Sequence, residues 1–330
     1  MTALVLSHTD VARLLPMPAC IDVMAEALRA TSRGEAVLPL RSMVWKPDRS
    51  GMIGVMPGVL GAPEILGLKV VSIFPGNHAA GYDSHQGVVM LFDPAHGTPI
   101  AIVDASSITA IRTAAVSGAA TRALARPEAG DLAILGSGVQ AQTHLAAMRA
   151  VRTLRRVRVW SRNRDHAERF ARASPIPVEV MPTARAAVEA ADLVCTVTAA
   201  REPILDGAWL AAGAHVNAVG ACFANARELD TAAVARARLI VDRRESALAE
   251  SGDFLMARAD GAITDHHIAG ELGEVLLGRI VGRRTAEDIT LFESLGIAVE
   301  DLAAAHYVYR QAIATGAGIS APLGPSPTTS

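Results

Sequence analysis

Cysteine is scarce in this chain. Cys20, Cys195 and Cys222 are the only three in 330 residues, and their spacing fits neither a metal knuckle nor a disulfide framework. That excludes a small disulfide-stapled secreted domain and fits a protein kept in a reducing cytoplasm. Lysine is scarcer still: of 31 basic residues only Lys46 and Lys69 are lysines, and the rest are arginines. A GC-rich genome accounts for a general preference for arginine. Against that bias, a lysine on an apolar strand marks a place where a compact, titratable ammonium is wanted. Neither sign of charge is in excess, since 31 Lys+Arg face 33 Asp+Glu for a net charge of −2, and like charges do not run together. The basic face that a nucleic-acid binder needs is therefore missing. No stretch approaches the ~18–20 uncharged apolar residues of a membrane span. Residues 1–15 carry Asp10 and Arg13 without a cleavage pattern, so no secretory signal is expected either. Internal repeats are absent.

What is present is enough for a large core. Hydrophobic residues make up 51% of the chain and charged residues 19%, which excludes global disorder, and the length suits two domains of about 150 residues each. The Pro/Ser/Thr-rich end, residues 321–330, is expected to be disordered.

The hydrophobic pattern changes character part-way along. A helical pattern over residues 19–32 is followed by short strand-like runs at 40–45, 52–56, 65–74, 87–92 and 99–103, separated by turn chemistry. Five strands with short turns predict an antiparallel meander. Residues 106–124 read as a helix of small residues. From Asp131 onward strands and helices alternate, with strands at 132–135, 157–160, 178–180, 193–197, 215–219 and 239–241 and helices at 139–150 and 164–173. That alternation predicts a doubly wound parallel sheet with crossover helices. The last helix, about 299–318, lies beyond it and is expected to pack back on the first domain. The fold class is thus α/β: a Rossmann-type domain over 121–298, and an α+β domain over 1–120 with an antiparallel sheet.

Strand 132–135 runs into Gly136-Ser137-Gly138-Val139-Gln140-Ala141, a G-x-G-x-x-A loop that opens a helix. The first glycine permits the tight turn, the second lets the backbone approach a pyrophosphate, and Ala141 permits close helix packing. The helix N-terminus adds N–H donors and a positive dipole. The next strand ends in Ser161-Arg162-Asn163-Arg164, without the acid that accepts a ribose 2′-hydroxyl in NAD sites. Ser161 can hydrogen-bond a 2′-phosphate, and Arg162 or Arg164 can neutralise it, which favours NADPH, with NADH as the alternative. Thr196 to Thr198 end a strand where a ribose or nicotinamide can rest.

Three cations stand out. Arg112 is the only charge between Asp104 and Arg122, with Ile108 and Val116 on its helix face. A cation buried there needs a partner. One candidate is an internal carboxylate such as Asp104; the other is a substrate carboxylate gripped by the guanidinium fork. Lys69 shares a strand face with Val71 and Ile73, and Arg41 opens another strand of the meander. Together they predict a small anionic ligand beside a dinucleotide. Other candidates are weaker. His85 and the pair His266–His267 lack ligand spacing, so no metal site is expected. Ser106 and Ser107 read as helix caps, and Glu271 with Glu274 as a solvated helix face.

With these residues in hand, the chain resembles the ornithine cyclodeaminase / mu-crystallin family over about residues 35–310. The resemblance lies in Gly67-Leu68-Lys69, Phe74-Pro75-Gly76-Asn77, Leu91-Phe92-Asp93-Pro94 and Ile108-Thr109-Ala110-Ile111-Arg112-Thr113. It continues in Gly136 to Gln140, Val216-Asn217-Ala218-Val219-Gly220-Ala221, Arg227-Glu228-Leu229-Asp230, Gly270 to Glu274 and Phe292-Glu293-Ser294-Leu295-Gly296. It implies a homodimer joined through the N-terminal sheets. It implies that Arg41, Lys69 and Arg112 hold a substrate carboxylate. Cofactor contacts are implied at Ser84, Thr113, Val139, Gln140, Ser161, Thr198, Val216, Asn217, Ala218 and Val219, with Ser294 and Leu295 near the nicotinamide. In one respect the chain departs from the family. Its cyclodeaminases carry an Asp where this sequence has Cys222, and a neutral thiol cannot supply that carboxylate. This, with the missing acid on the second strand, implies the imine-reducing branch, similar to ketimine reductases and pyrroline-2-carboxylate reductases. The expected activity is reduction of a C=N bond α to a carboxylate in a small imino acid, with Lys69 and Arg112 as the catalytic pair. Ornithine cyclodeamination, oxidation of an L-amino acid of the alanine type, and non-catalytic NADPH or ligand binding are the alternatives.

Overall fold

Strict alternation of inward and outward side chains builds the first sheet. A computed structural model describes residues 2–61 and 63–324. The chain divides into two units, 1–112 with 297–330, and 113–296. In the first unit lie β1 (Thr2–Leu6), β2 (Ala36–Val37), β3 (Ser42–Trp45), β4 (Met52–Gly61), β5 (Glu64–Ile73), β6 (His85–Phe92), β7 (Pro99–Asp104) and a C-terminal strand, Ile319–Pro322. Their order is C-terminal strand, β1, β7, β6, β5, β4, β2, with β3 also on β4. From β3 to β7 every pairing is antiparallel, the meander the turn residues predict.

The sequence reading missed both of that sheet's outer strands at one edge. β1 runs parallel to β7, and the C-terminal strand pairs with it antiparallel, Ala321 opposite Ala3 and Pro322 opposite Thr2. So Ala321 and Pro322, expected in a disordered tail, belong to an edge strand, where a proline's missing N–H can face solvent. Residues 325–330 of that tail lie outside the described residues.

The unit's helices are α1 (His8–Leu14), α2 (Met17–Ser32), the start of α3 (Ala105–Leu124), and a C-terminal helix, Ala298–Thr315. The C-terminal helix lies on the sheet face formed by Met56, Gly58, Leu60, Ile65, Gly67 and Lys69, and two glycines let it come close. A Cβ on Gly67 would stand 2.8 Å from Leu302, and one on Gly58 would stand 3.2 Å from the same side chain. That approach sets Glu300 and Asp301 over the strand carrying Lys69. Asp104, one of the two candidate partners of Arg112, instead accepts from Ser107 N at 2.8 Å at the start of α3. The carboxylate thus caps the helix, while the Ser107 hydroxyl meets His8 at 2.6 Å.

The second unit holds β8 (Asp131–Leu135), β9 (Arg156–Trp160), β10 (Glu179–Val180), β11 (Leu193–Thr196), β12 (His215–Ala218), β13 (Arg238–Val241), β14 (Ile268–Glu271) and β15 (Thr290–Glu293). All pairings are parallel, in the order β10-β9-β8-β11-β12-β15-β13-β14. Among the crossover helices are α4 (Val139–Val151) and α5 (Arg164–Ala173). The chain moves outward from β8 to β10, then returns to β11 on the other side of β8. Ligands of such sheets bind at this reversal, outside the carboxyl ends of the strands. Strands β14 and β15 were not anticipated. Glu271 ends β14 and caps the following short helix together with Glu274, while its Oε1 accepts from Arg244 N at 2.9 Å. The two acids therefore serve a strand–helix junction and not a solvated face. No helix among the described residues is long and apolar enough to cross a membrane.

Candidate active site

The first unit carries a buried cluster of opposite charges. Lys69 projects from β5, opposite Met56 on one side and Val89 on the other, and is 3% exposed. Its Nζ donates to Asp301 Oδ2 at 2.6 Å. Arg112, half-way along α3, donates from Nε to Asp301 Oδ1 at 2.9 Å and from Nη1 to Glu300 Oε2 at 2.8 Å. Asp301 thus bridges the two cations, and both acids are fully buried. Arg41 lies near enough that its charge bears on Lys69.

The electrostatics follow from burial. Desolvation brings the Lys69 ammonium down to about 8; Arg112 and Arg41 push the same way, while Asp301 opposes them. Burial also works to raise Asp301, but the adjoining Arg112 and Lys69 charges outweigh it and hold the carboxyl below the usual carboxylate range. So Asp301 is an anion, and Lys69 sits near the point where it can gain or lose a proton. Glu300 and Asp301 had no part in the sequence reading. Adjacent acids at the start of an otherwise Ala/Val/Leu-rich helix were the available signal.

The second unit gathers the dinucleotide residues along one edge. Gly136 has φ +126°, open to glycine alone, and a Cβ there would stand 2.7 Å from the Val197 carbonyl. Gly138 caps α4 with extended backbone and no side-chain cap, and a Cβ on it would meet nothing within 4 Å. An unclaimed helix N-terminus above open space is what a pyrophosphate requires. Val139 is 58% exposed beside it, and Gln140 is half-buried. The Ser137 hydroxyl donates to the Ser161 hydroxyl at 3.1 Å, tying the loop to the end of β9. Arg162 is exposed with no ion pair among the described residues, whereas Arg164 is engaged by Glu168 at 2.9 Å. A 2′-phosphate would therefore be met first by Ser161 and Arg162.

Further along the edge, Thr198 follows β11, Val219 follows β12, and Ser294 and Leu295 follow β15. Ser294 N donates to Ala218 O at 2.9 Å, and its buried hydroxyl has no hydrogen-bond partner. An orphaned buried hydroxyl at a nucleotide edge suits a ligand's polar group. Three expected contacts sit differently: the Val216 and Ala218 side chains are packed in the core, and Asn217 is fully buried with its amide on Thr121 at 2.9 Å. Ser84 belongs to the first unit, its hydroxyl 2.9 Å from His85 Nδ1, and Thr113 opens the second. Cys222 stands half-buried beyond β12. No grouping of three or more His, Cys, Asp or Glu among the described residues suits a metal ion.

Known proteins resemble this chain over most of its length. The ketimine reductase mu-crystallin of Mus musculus is 44% identical over 84% of this chain and 85% of its own length. A structure of Thermococcus litoralis Delta(1)-pyrroline-2-carboxylate reductase with NADH and L-proline superposes with a TM-score of 0.93 at 38% identity, covering 96% of this chain and 99% of that one. An archaeal alanine dehydrogenase dimer with bound NAD gives 0.92 at 30% identity, covering 98% and 100%. The sequence profile of one family matches residues 1–316, nearly the whole length. The chain belongs to the ornithine cyclodeaminase/mu-crystallin family.

Proposed function

We propose that the protein is an NAD(P)H-dependent reductase of a C=N bond α to a carboxylate, converting a cyclic ketimine of the pyrroline-2-carboxylate type to the L-amino acid. The observation that carries this reading is a buried Lys69–Arg112 cluster in the same chain as an uncapped glycine-loop helix. When bound, NAD(P)H supplies the hydride. The chain's own residues do the rest. Arg112 and Arg41 take the substrate carboxylate and fix the distance and face of attack. Lys69 shares that charge and holds a proton for the imine nitrogen.

The internal acids do not cancel this role. Asp301 and Glu300 balance Lys69 and Arg112, and the Arg41 charge bears on Lys69 besides. Asp301 takes one ammonium hydrogen of Lys69, and the others have no partner among the described residues. What the acids supply is aim, since a bridged lysine and arginine lose little further rotamer freedom on binding. Ser161 with Arg162 supports NADPH over NADH. Cys222 supports reduction over cyclodeamination, which needs an acid at that position.

NADPH oxidation tests the reading, run with cyclic imino acids and with linear 2-oxo acids plus ammonia or methylamine, in parallel with ornithine and NAD read by release of ammonia, because cyclodeamination returns its hydride and leaves the nucleotide unchanged. The cyclic imino acids are expected to turn over fastest. Faster ornithine turnover, or NADPH binding without oxidation by any imino acid, would overturn it.

We also propose a homodimer built on the first sheet. The face opposite the helices presents Val55, Leu66, Leu68, Val70, Met90 and Ile102, with no helix over it among the described residues of its unit. An apolar sheet face of this extent needs a cover. Leu68→Arg at its centre is expected to halve the mass measured by light scattering from two chains to one; an unchanged mass would exclude this face.

A further inference from the structure

The second unit buries carboxyl groups that neither the cation cluster nor the glycine loop explains. Glu228, Asp253 and Glu293 are each at most 2% exposed, and none makes an ion pair among the described residues. Their partners are main-chain N–H groups and hydroxyls. Glu228 Oε1 accepts from Thr198 N and from the Thr198 hydroxyl, both at 2.6 Å, and Oε2 accepts from Gly220 N at 2.8 Å. Gly220 is packed so tightly here that a Cβ would stand 2.7 Å from Glu228 Oε2 and 2.1 Å from Thr198 O.

Glu228 is itself held from both sides. Its N–H and that of Leu229 donate to Asp253 Oδ1 at 2.9 and 2.8 Å, and its carbonyl accepts from Ile204 N at 2.7 Å and Leu205 N at 3.0 Å. A fixed carboxylate thus joins the turn after β11 to the turn after β12. Those strands belong to the second mononucleotide half of a doubly wound sheet, the half that takes the nicotinamide side; β8, β9 and β10 form the adenosine half. Asp242 does the like for the turn after β15, its Oδ2 accepting from Leu295 N and Gly296 N at 2.7 Å each.

We infer that Glu228 is a positioning residue for the nicotinamide half of the dinucleotide, holding the Thr198 and Gly220 turns at the separation that half requires. The inference rests on the reading that this unit binds NAD(P)H. The adenosine side is served by Gly136 to Gly138, Ser161 and Arg162, none of which is hydrogen-bonded to Glu228. Loss of the carboxylate should therefore split the ligand into an affected and an unaffected half.

Glu228→Gln keeps the size but turns one acceptor into an NH2 group facing an N–H donor. Calorimetric binding of NADPH and of the adenine-side fragment 2′,5′-ADP, measured without turnover, reads the split. NADPH is expected to bind about tenfold or more weakly and 2′,5′-ADP within about twofold of wild type. Glu228→Asp, which keeps the carboxyl group but is one methylene too short to reach both turns, should give the same split and decides the matter should the Gln variant fail to fold. Equal weakening of both ligands, or of neither, would overturn the inference. Wild-type protein that binds neither ligand would instead sink the reading of the unit as an NAD(P)H site.

Discussion

Lys69→Met is expected to lower kcat for imine reduction about a thousandfold while leaving the Kd for NADPH within about twofold. Methionine fills the same apolar channel between Met56 and Val89, so the sheet keeps its packing. What is lost is the charge. Asp301 keeps Arg112 at 2.9 Å but loses its 2.6 Å contact, and the cluster is left with one positive charge fewer. A substrate carboxylate then meets a more negative site, and the imine nitrogen has no ammonium to draw on. Nucleotide affinity should not register the change, because the glycine loop, Ser161 and Arg162 lie in the other unit and Ser84 alone of the expected contacts lies in this one. Full turnover by the variant would remove Lys69 from the chemistry, and equal loss of NADPH affinity would mean that the change is a general one.

The same lysine sets a pH dependence. With its ammonium near 8 in the folded chain, Lys69 is protonated below that value and neutral above it. Reduction consumes a proton, so kcat at saturating imine should fall about tenfold per pH unit beyond pH 8. The oxidative direction needs the neutral amine and should rise across the same range. A flat profile for both directions through pH 7–10 would mean that the titrating group is elsewhere.

How far the sequence could be read depended on how local the signal was. The glycine loop, its strand and its helix are contiguous, and Asp131–Leu135 followed by Val139–Val151 lies where the pattern places it. The meander is equally local, each strand pairing with its neighbour across a short turn. The edge strands were not, for β1 meets β7 across nearly a hundred positions and meets the C-terminal strand across the whole chain. The cations were legible because a charge alone among apolar residues is visible by contrast. Their partners were not: Asp301 is 232 positions from Lys69 and 189 from Arg112. Asp104, close in sequence, was the natural suspicion, and the need to cap α3 claimed it instead.

The buried acids of the second unit show a second kind of blindness. Glu228 and Asp253 are met by main-chain N–H groups and Glu293 by the Ser251 hydroxyl, so no complementary charge in the sequence announces them. Their effect is on protons. Burial, and the neighbouring Glu228 charge, raise Asp253 to about 8 despite the Leu229 and Glu228 N–H donors. Glu293 is pushed well above the usual range by burial and by Asp253, Asp242 and Glu228 together. At neutral pH Asp253 holds a proton that the unfolded chain has released.

Asp253→Asn should therefore make the protein more stable at pH 8 and leave it unchanged near pH 4. Between about pH 4 and pH 8 the folded chain keeps the Asp253 proton and the unfolded chain does not, so the Asp253 contribution to stability falls as pH rises through that window. Lys69 acts in the opposite sense from about 8 to 10.5, where only the unfolded chain stays protonated, and is common to both proteins. Asparagine mimics the protonated acid: its carbonyl takes the Glu228 and Leu229 N–H donors, and its amide replaces Oδ2, which has no hydrogen-bond partner. The gain at pH 8 should be a few kcal/mol, or about 5–10 °C in Tm for a unit of this size. Melting curves from pH 4 to pH 9 would check it. Parallel curves for the two proteins would show that Asp253 is ionised in the fold and that the N–H groups alone suffice to hold its charge.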